Sequence, residues 1–434
     1  MNYEQSLDYI YHAKQSGAEK HGLANITELL KRLGNPEACF PSVHIAGTNG
    51  KGSTAAMLES ILRAAGYRTG LYTSPFLERF PERIRVGGEE IEEGEFAALA
   101  TEVRSAADGM VRDGHGHPTF FELVTACCFL HFARQSVDIA VVEAGLGGRT
   151  DATNVIKPVL SVITTIGIDH AASLGGTLES IAAEKAGILK PGVPAVLAGG
   201  SDPAALAVVQ CWAKELGIDL RYAGDTCLYA KNQDLDGQAF DLSFNDWKLE
   251  NLKLKLLGRH QLVNAATAVL AACSVRAAGF VIPEEVIRSG LAQARWPGRM
   301  ELLRREPPLI IDGAHNPQGA EVLADAVLEL LPGRQICLVA GAMADKDVPA
   351  MVRQFARFAS HAIITLPPSH GRMQKETGAM AAMFSHASVK SEACPDWQKA
   401  MALALDRDMA VVVAGSLYLA GAVRTWWSST ARGR

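Results

Sequence analysis

The segment that most constrains this chain is SVHIAGTNGKGSTAAMLESILRAAG, Ser42 to Gly66. Its first five residues form an apolar run that reads as a buried strand, Gly47 to Ser53 form a glycine-rich turn, and the remainder has helical spacing that stops at Gly66. A strand that feeds a helix through such a turn belongs to a parallel sheet with crossover helices. The turn presents backbone N–H groups and a helix N-terminus to an anion. Lys51 can then reach outer phosphates, and the Ser53 hydroxyl can ligate magnesium. The common pattern places Ser or Thr directly after the lysine, whereas here Gly52 intervenes. A tight turn with a merely solvated lysine is the alternative. The ordered succession of strand, loop, lysine, hydroxyl and helix favours a nucleotide phosphate held by Gly47, Thr48, Asn49, Gly50, Lys51, Gly52 and Ser53.

The rest of the chain extends this α/β texture. DIAVVEAG (Asp138–Gly145) and VLSVITTIG (Val159–Gly167) read as further buried strands, and PLIIDGAH, QICLVAGA, HAIITLP and MAVVVAGS as four more near the carboxyl end. Between them, DLDGQAFDLSF has an Asp-Gly turn flanked by alternating apolar residues, the pattern of a hairpin. At 434 residues one ordinary core does not suffice, and ARWPGR (Ala294–Arg299) interrupts the pattern with Pro and Gly. The expected fold class is α/β in two domains. Residues 1–296 form a P-loop parallel-sheet ATPase domain carrying a small antiparallel sheet at about 223–257, and residues 297–434 a Rossmann-like α/β domain.

Net charge is −5, so no global field draws nucleic acid or an anionic membrane. The eight cysteines show no CxxC spacing and are scattered along the chain, which supports neither a zinc site nor a redox motif. The opening MNYEQSLDYIYHAKQ lacks a signal-peptide pattern, and the apolar Ala410–Val423 stretch is too short to span a bilayer. The expectation is a cytoplasmic protein without nucleic-acid or membrane partners, and a monomer.

Magnesium–ATP chemistry requires hard oxygen ligands and positive charge beside the phosphates. Glu143 ends a strand in VVEAGLGGRTDATN, followed by Arg149 and Asp151. An Arg149–Asp151 turn ion pair is the plain structural reading. The position at the carboxyl edge of a parallel sheet favours a ligand site. Asp169 and His170 end the strand TTIGIDH, where a histidine serves either packing or ligation. Lys185, in IAAEKAGILKPG, reads by itself as a surface lysine paired with a nearby glutamate.

Taken together, GTNGKGS, TSPFLERFPERI, TFFE, VEAGLGGRTDATN, GIDH, EKAGILKPG, NAATA, WPGR, DGAHNP, DKD and AGSLYL, in this order over nearly the whole chain, resemble the folylpolyglutamate synthase and dihydrofolate synthase family of the Mur ligase superfamily. That superfamily's phosphate loop also has glycine after the lysine. The resemblance implies an ATP-dependent ligase. Phosphorylation of a pterin acid's carboxylate makes an acyl phosphate, and the amine of L-glutamate displaces phosphate. Folate or dihydropteroate and glutamate are the implied substrates. ATP and Mg2+, at two sites, are the implied cofactors.

By position the resemblance assigns Ser53, Glu143, His170 and Lys185 to metal, with Lys185 as a carbamate, which reverses its plain reading. It assigns Asn264, Arg299 and Asp312 to ATP. His315 and Ser416 fall near the incoming glutamate, with Lys346 a further candidate. Arg79, Thr119, Phe121, Asp151 and Ala152 line the pterin pocket, and Lys51, Lys185 and His315 are the catalytic set. Two positions depart from the family's pattern, Phe76 where histidine is common and Pro81 where Asn or Thr is usual. The alternatives are a Mur-type ligase acting on another acid and a non-catalytic nucleotide switch.

Overall fold

The computed structural model describes residues 1–13, 22–169, 174–368 and 373–431. Its first sheet has eight strands: β1 (Ser42–Ala46), β2 (Thr69–Tyr72), β3 (Ile84–Val86), β4 (Glu89–Glu90), β5 (Ile139–Glu143), β6 (Leu160–Ile163), β7 (Ala195–Leu197) and β8 (Leu220–Tyr222), in the order β4-β3-β2-β5-β1-β6-β7-β8. β2, β5, β1, β6, β7 and β8 run parallel, and β3 and β4 add an antiparallel edge. The central strands are buried on both faces, which is why they read as unbroken apolar runs.

β1 has β5 on one side and β6 on the other. The chain leaves β1 into the glycine loop, β5 ends at Glu143, and β6 leads to Thr164. Three strand ends therefore meet at one carboxyl edge, the place where an open α/β sheet binds ligands.

Leu235-Asp236 joins β9 (Cys227–Asp234) to β10 (Gly237–Phe244), one residue before the Asp236-Gly237 pair expected from sequence, and Asn245-Asp246 joins β10 to β11 (Trp247–Leu254). Two-residue connections make this three-stranded sheet antiparallel. The third sheet comprises β12 (Glu301–Arg304), β13 (Leu309–Ile311), β14 (Ile336–Ala340), β15 (His361–Ile364), β16 (Lys390–Ala393) and β17 (Ala410–Ala414). Their order is β12-β13-β17-β14-β15-β16, parallel except for β12.

The chain divides into two compact units. One contains Met1–Leu228, Leu242–Leu249 and Val263–Ala294, and the other contains Tyr229–Asp241, Glu250–Leu262 and Arg295–Arg434. Among the described residues the first unit has apolar clusters on more than one part of its sheet. One gathers Phe96, Phe129 and Phe132 with the early helices, and another gathers Ile163, Ile181 and Val209. The second unit is built around Leu338, Phe355, Phe384 and Val412. Among the described residues no helix is long and apolar enough to cross a membrane.

The loop helix, Lys51–Ala64, packs closely on helix Glu284–Gln293. Ser60 Oγ donates to the Gly290 carbonyl at 2.7 Å, and a Cβ at position 290 would lie 2.5 Å from Ile61 Cα. Only glycine allows this approach. Gly290→Ala should destabilise the protein by about 1–3 kcal/mol, seen as a lower urea midpoint in equilibrium unfolding.

Candidate active site

The glycine loop is held by its neighbours before any ligand is considered. Thr48 and Asn49 N–H donate to the Thr165 carbonyl at 2.9 and 3.2 Å. Thr48 Oγ1 donates to the Gly167 carbonyl at 2.9 Å and accepts from Gly167 N–H at 3.1 Å. Gly50 has φ of +85°, and a Cβ there would lie 2.4 Å from Asn264 Oδ1. A Cβ on Gly47 would lie 1.8 Å from Thr164 Oγ1. Both positions need glycine for space, and Gly50 also for its left-handed backbone. Asn264 is thus buried directly against the phosphate loop.

Two ammonium groups converge here. Lys51 Nζ donates to the carbonyls of Gly47 and Thr48 at 3.1 and 3.2 Å, and Lys185 Nζ donates to the same Gly47 carbonyl at 2.8 Å. The reading of Lys185 as a surface lysine is therefore wrong, because the side chain is 4% exposed. The sequence shows a glutamate beside it, Glu184, but not which helix face the sheet covers. Burial, then the nearby Lys51, pushes the Lys185 amine down to about 7. The arrangement concentrates positive charge at a helix N-terminus where phosphate charge would relieve it.

Glu143 is buried, with Oε1 4.0 Å from Lys51 Nζ and Oε2 accepting from Ser74 N–H at 3.2 Å. Ser53 lies buried in the first turn of the loop helix. A carboxylate and a hydroxyl are hard donors suited to magnesium, whose other ligands are commonly water and phosphate. No cluster of three His, Cys, Asp or Glu occurs among the described residues. His170 lies outside them.

Arg149 pairs with Glu184 and not with Asp151. Asp151 is buried and accepts four hydrogen bonds. Oδ2 takes Gly145 and Leu146 N–H, each at 2.9 Å, and Oδ1 takes Thr153 N–H at 3.0 Å and Thr153 Oγ1 at 2.5 Å. Burial raises this carboxyl above its ordinary value, and the four donors oppose the rise. Ala152 follows as the first residue of a short 3-10 turn. Phe121 lies against the Gly145 backbone and stacks on Tyr72, with ring centroids 6.0 Å apart.

Thr119 is the N-cap of helix Phe120–Arg134 in a reciprocal capping box with Glu122. TFFE is therefore legible as a helix start (T-x-x-E), a signal the motif reading passed over. Arg79 reaches outward to Glu90 at 2.6 Å, with its side chain 63% exposed. Sequence reasoning did not single out Arg83, which is buried with its guanidinium 5.2–5.7 Å from the rings of Phe76, Phe80 and Phe120. Aromatic residues spaced around an ERI triplet were the available signal. The Glu82 carboxylate collects the N–H groups of Leu77, Glu78 and Arg79, each at 2.8 Å. Pro81 sits in the first turn of the 3-10 segment Phe80–Arg83, a position that suits proline.

In the second unit the remaining candidates gather at the carboxyl edge of β13 and β17. Both Asp312 oxygens accept backbone N–H, from Met300 at 2.8 Å and Ala314 at 2.7 Å. Burial raises this carboxyl, and Arg299 opposes the rise. The Arg299 guanidinium lies against Gly313. His315 Nδ1 donates to the Gly313 carbonyl at 2.8 Å. Gly415 N–H donates to the Ala314 carbonyl at 2.8 Å, which brings Ser416 beside the same turn. Ser416 Oγ is buried with no hydrogen-bond partner among the described residues. Lys346 lies beyond the end of β14 with a largely buried side chain.

A strand–loop–helix phosphate cradle with two converging lysines, followed by a second parallel-sheet unit, defines a nucleotide-using α/β enzyme. The Mur ligase middle-domain model matches residues 45–272, and the Mur ligase glutamate ligase domain model matches residues 298–417. The chain is 40% identical over 364 residues to a dihydrofolate synthase/folylpolyglutamate synthase of Bacillus subtilis, covering 83% of this chain and 84% of that one. It is 37% identical over 429 residues to a folylpolyglutamate synthase of Lacticaseibacillus casei, covering 98% of each. The solved FPGS–AMPPCP–folate complex superposes with a TM-score of 0.86 at 35% identity, covering 98% of this chain and 99% of that one. The chain belongs to the folylpolyglutamate synthase/dihydrofolate synthase family of the Mur ligase superfamily.

Two predictions follow from this geometry. Gly50→Ala forces an L residue into a left-handed conformation and against Asn264, so it should raise the KM for ATP about tenfold or more, measured by steady-state kinetics. His44, wholly buried on β1, is pushed by burial from 6.5 down to about 3. The unfolded chain therefore takes up this proton first as pH falls, and stability present above pH 6.5 is lost progressively toward pH 3. Urea midpoints should fall between pH 7 and pH 5, and fall less in His44→Phe.

Proposed function

We propose that this protein is a monomeric, cytoplasmic ATP-dependent ligase that joins L-glutamate to the carboxylate of a pterin acid, either dihydropteroate or a reduced folate. The observation that carries the reading is the convergence of Lys51 and Lys185 on the Gly47 carbonyl beside buried Glu143. This convergence supports phosphate binding and phosphoryl transfer beside the loop. Family membership and the folate bound in the related complex support the acid substrate.

A carboxylate is a poor electrophile, and phosphorylation by ATP turns it into an acyl phosphate that an amine can attack. Lys51 follows the transferring phosphoryl oxygens and offsets their charge. The backbone of Gly47 to Gly52 positions the phosphates at the helix N-terminus. Asn264 bounds the loop on its nucleotide side. Asp151, Phe121, Ala152, Thr119 and Arg79 are assigned to the pterin, whose flat ring suits aromatic stacking and whose amino-pyrimidine edge suits a carboxylate acceptor. Arg299 and Asp312 are assigned to nucleotide, and His315 and Ser416 to glutamate.

Ser53 and Glu143 are donors that fit one magnesium, and the family resemblance assigns His170, outside the described residues, and Lys185 to a second. Bound Mg2+ would supply charge neutralisation at the phosphates. Lys185 would serve as a carbamate. Its amine, held near 7, is substantially neutral at physiological pH and can add carbon dioxide with loss of a proton. The product carries anionic oxygen in place of an ammonium group beside Lys51.

Phosphate release from ATP is the direct test, with glutamate and dihydropteroate, tetrahydrofolate or a UDP-linked acid. Release should depend on glutamate and on one or both pterins. No release with either pterin overturns the reading, and release with the UDP-linked acid alone assigns the protein to another branch of the superfamily. Lys185→Ala should lower kcat by about 100-fold or more while leaving ATP affinity, measured by calorimetry, much less changed. Near-normal turnover in that variant removes the carbamate.

A further inference from the structure

The central strand of the first sheet carries a polar side chain that the proposed chemistry does not use. His44 lies on β1 between Val142 of β5 and Ser161 of β6, wholly buried. A buried imidazole in the middle of a sheet is costly unless its hydrogen bonds do something for the fold or the site. Its Nε2 lies 2.8 Å from Thr153 Oγ1, and Nδ1 has no hydrogen-bond partner among the described residues. Thr153, also wholly buried, is 2.5 Å from Asp151 Oδ1 through the same hydroxyl.

The direction of this chain follows from proton counting. Three backbone N–H groups point at the Asp151 carboxyl, which suits an ionised acceptor. The single Thr153 hydroxyl proton therefore goes to Asp151, and Thr153 Oγ must accept from His44. The imidazole is then the neutral Nε2–H tautomer, with a bare Nδ1. Lys190 reinforces that state, because its ammonium, bonded to the Asn154 carbonyl at 3.0 Å, disfavours a second positive charge on His44. A simple N-cap on the 3-10 turn Ala152–Val155 would need only the bond from Thr153 N–H to Asp151. The hydroxyl and the histidine exceed that requirement.

We infer that His44 and Thr153 are positioning residues for the acid substrate: a one-way chain from His44 Nε2–H through the Thr153 hydroxyl holds the Asp151 carboxylate ionised and aimed as an acceptor. The inference rests on the assignment of Asp151 to the pterin. It also gives that carboxylate a mechanical origin on β1, the strand that feeds the phosphate loop, so the two halves of the chemistry share one rigid element. Neither His44 nor Thr153 touches substrate in this scheme. Their effect passes through Asp151.

The test compares Thr153→Val, which keeps the shape and loses the donor, with Thr153→Ser, which keeps the donor, in the whole enzyme with ATP, glutamate and whichever pterin acid the unaltered protein uses. Thr153→Val should raise the pterin KM about tenfold, as expected for losing a hydrogen bond to a charged group. Its KM for ATP should stay within about twofold of wild type, the split that marks a substrate-specific role. Thr153→Ser should restore the pterin KM, and His44→Phe should move it in the same direction as Thr153→Val. An unchanged pterin KM in Thr153→Val, equal rises in both KM values, or no rescue by serine overturns the inference, and Thr153→Val alone decides it if His44→Phe does not fold. Failure of the unaltered protein to use any pterin acid removes instead the reading on which the inference rests.

Discussion

Everything at the site turns on the carbonyl oxygen of Gly47, which accepts from two lysine side-chain nitrogens at once. Both nitrogens are held there by the rest of the fold, and burial with the nearby Lys51 disfavours a charge on Lys185. Lys185 is carried in by helix Leu178–Ala186, which packs over the sheet with Ile181 and Ala182 in the core. Lys51 is delivered by the loop itself. A buried amine near a cation resists protonation, and Glu143 is the carboxylate nearest Lys51. The architecture around Gly47 is therefore arranged for a charged ligand more than for the stability of the unliganded protein. Strain of this kind is ordinary at sites that must later meet phosphate.

The sheet explains how such a site can be rigid. β1, β5 and β6 end together, and each contributes to the same small volume: the loop after β1, Glu143 on β5, and Thr164 and Thr165 after β6. The second unit repeats the principle at β13 and β17, where the Asp312–His315 turn and the Gly415–Ser416 turn are joined by a backbone hydrogen bond. In both units the functional side chains stand on strand ends, where a pleated core fixes the backbone and the loop supplies the chemistry.

What could be read from the sequence follows burial. SVHIA matches β1 residue for residue, and the runs around Glu143 and Leu160 became β5 and β6, because strands covered on both faces are uninterrupted apolar segments. β3, β4, β12 and β16 had no such signature. They are short, lie at or next to sheet edges, and none is buried throughout. The phosphate loop was legible because each of its residue types has a local reason. Lys185 was not, since a glutamate beside it gives the same local pattern whether the helix face is covered or wet. Arg83 and His44 escaped for a related reason. His44 matters through strands distant in sequence, and Arg83 through the distant Phe120 as well as the nearby Phe76 and Phe80; only the resemblance among motifs, not the residues themselves, tied that region to a pterin.

The Glu82 carboxylate shows a further property of the segment Leu77–Arg83. It binds three successive backbone N–H groups, and none of them belongs to residue 81. Proline at that position therefore removes a donor that the turn never used. The segment is closed by its own carboxylate, with Arg83 packed among rings beneath it, so its shape exists before substrate arrives. A ligand meeting such a surface does not have to order it, and the conformational entropy that a floppy loop would lose on binding has already been lost during folding.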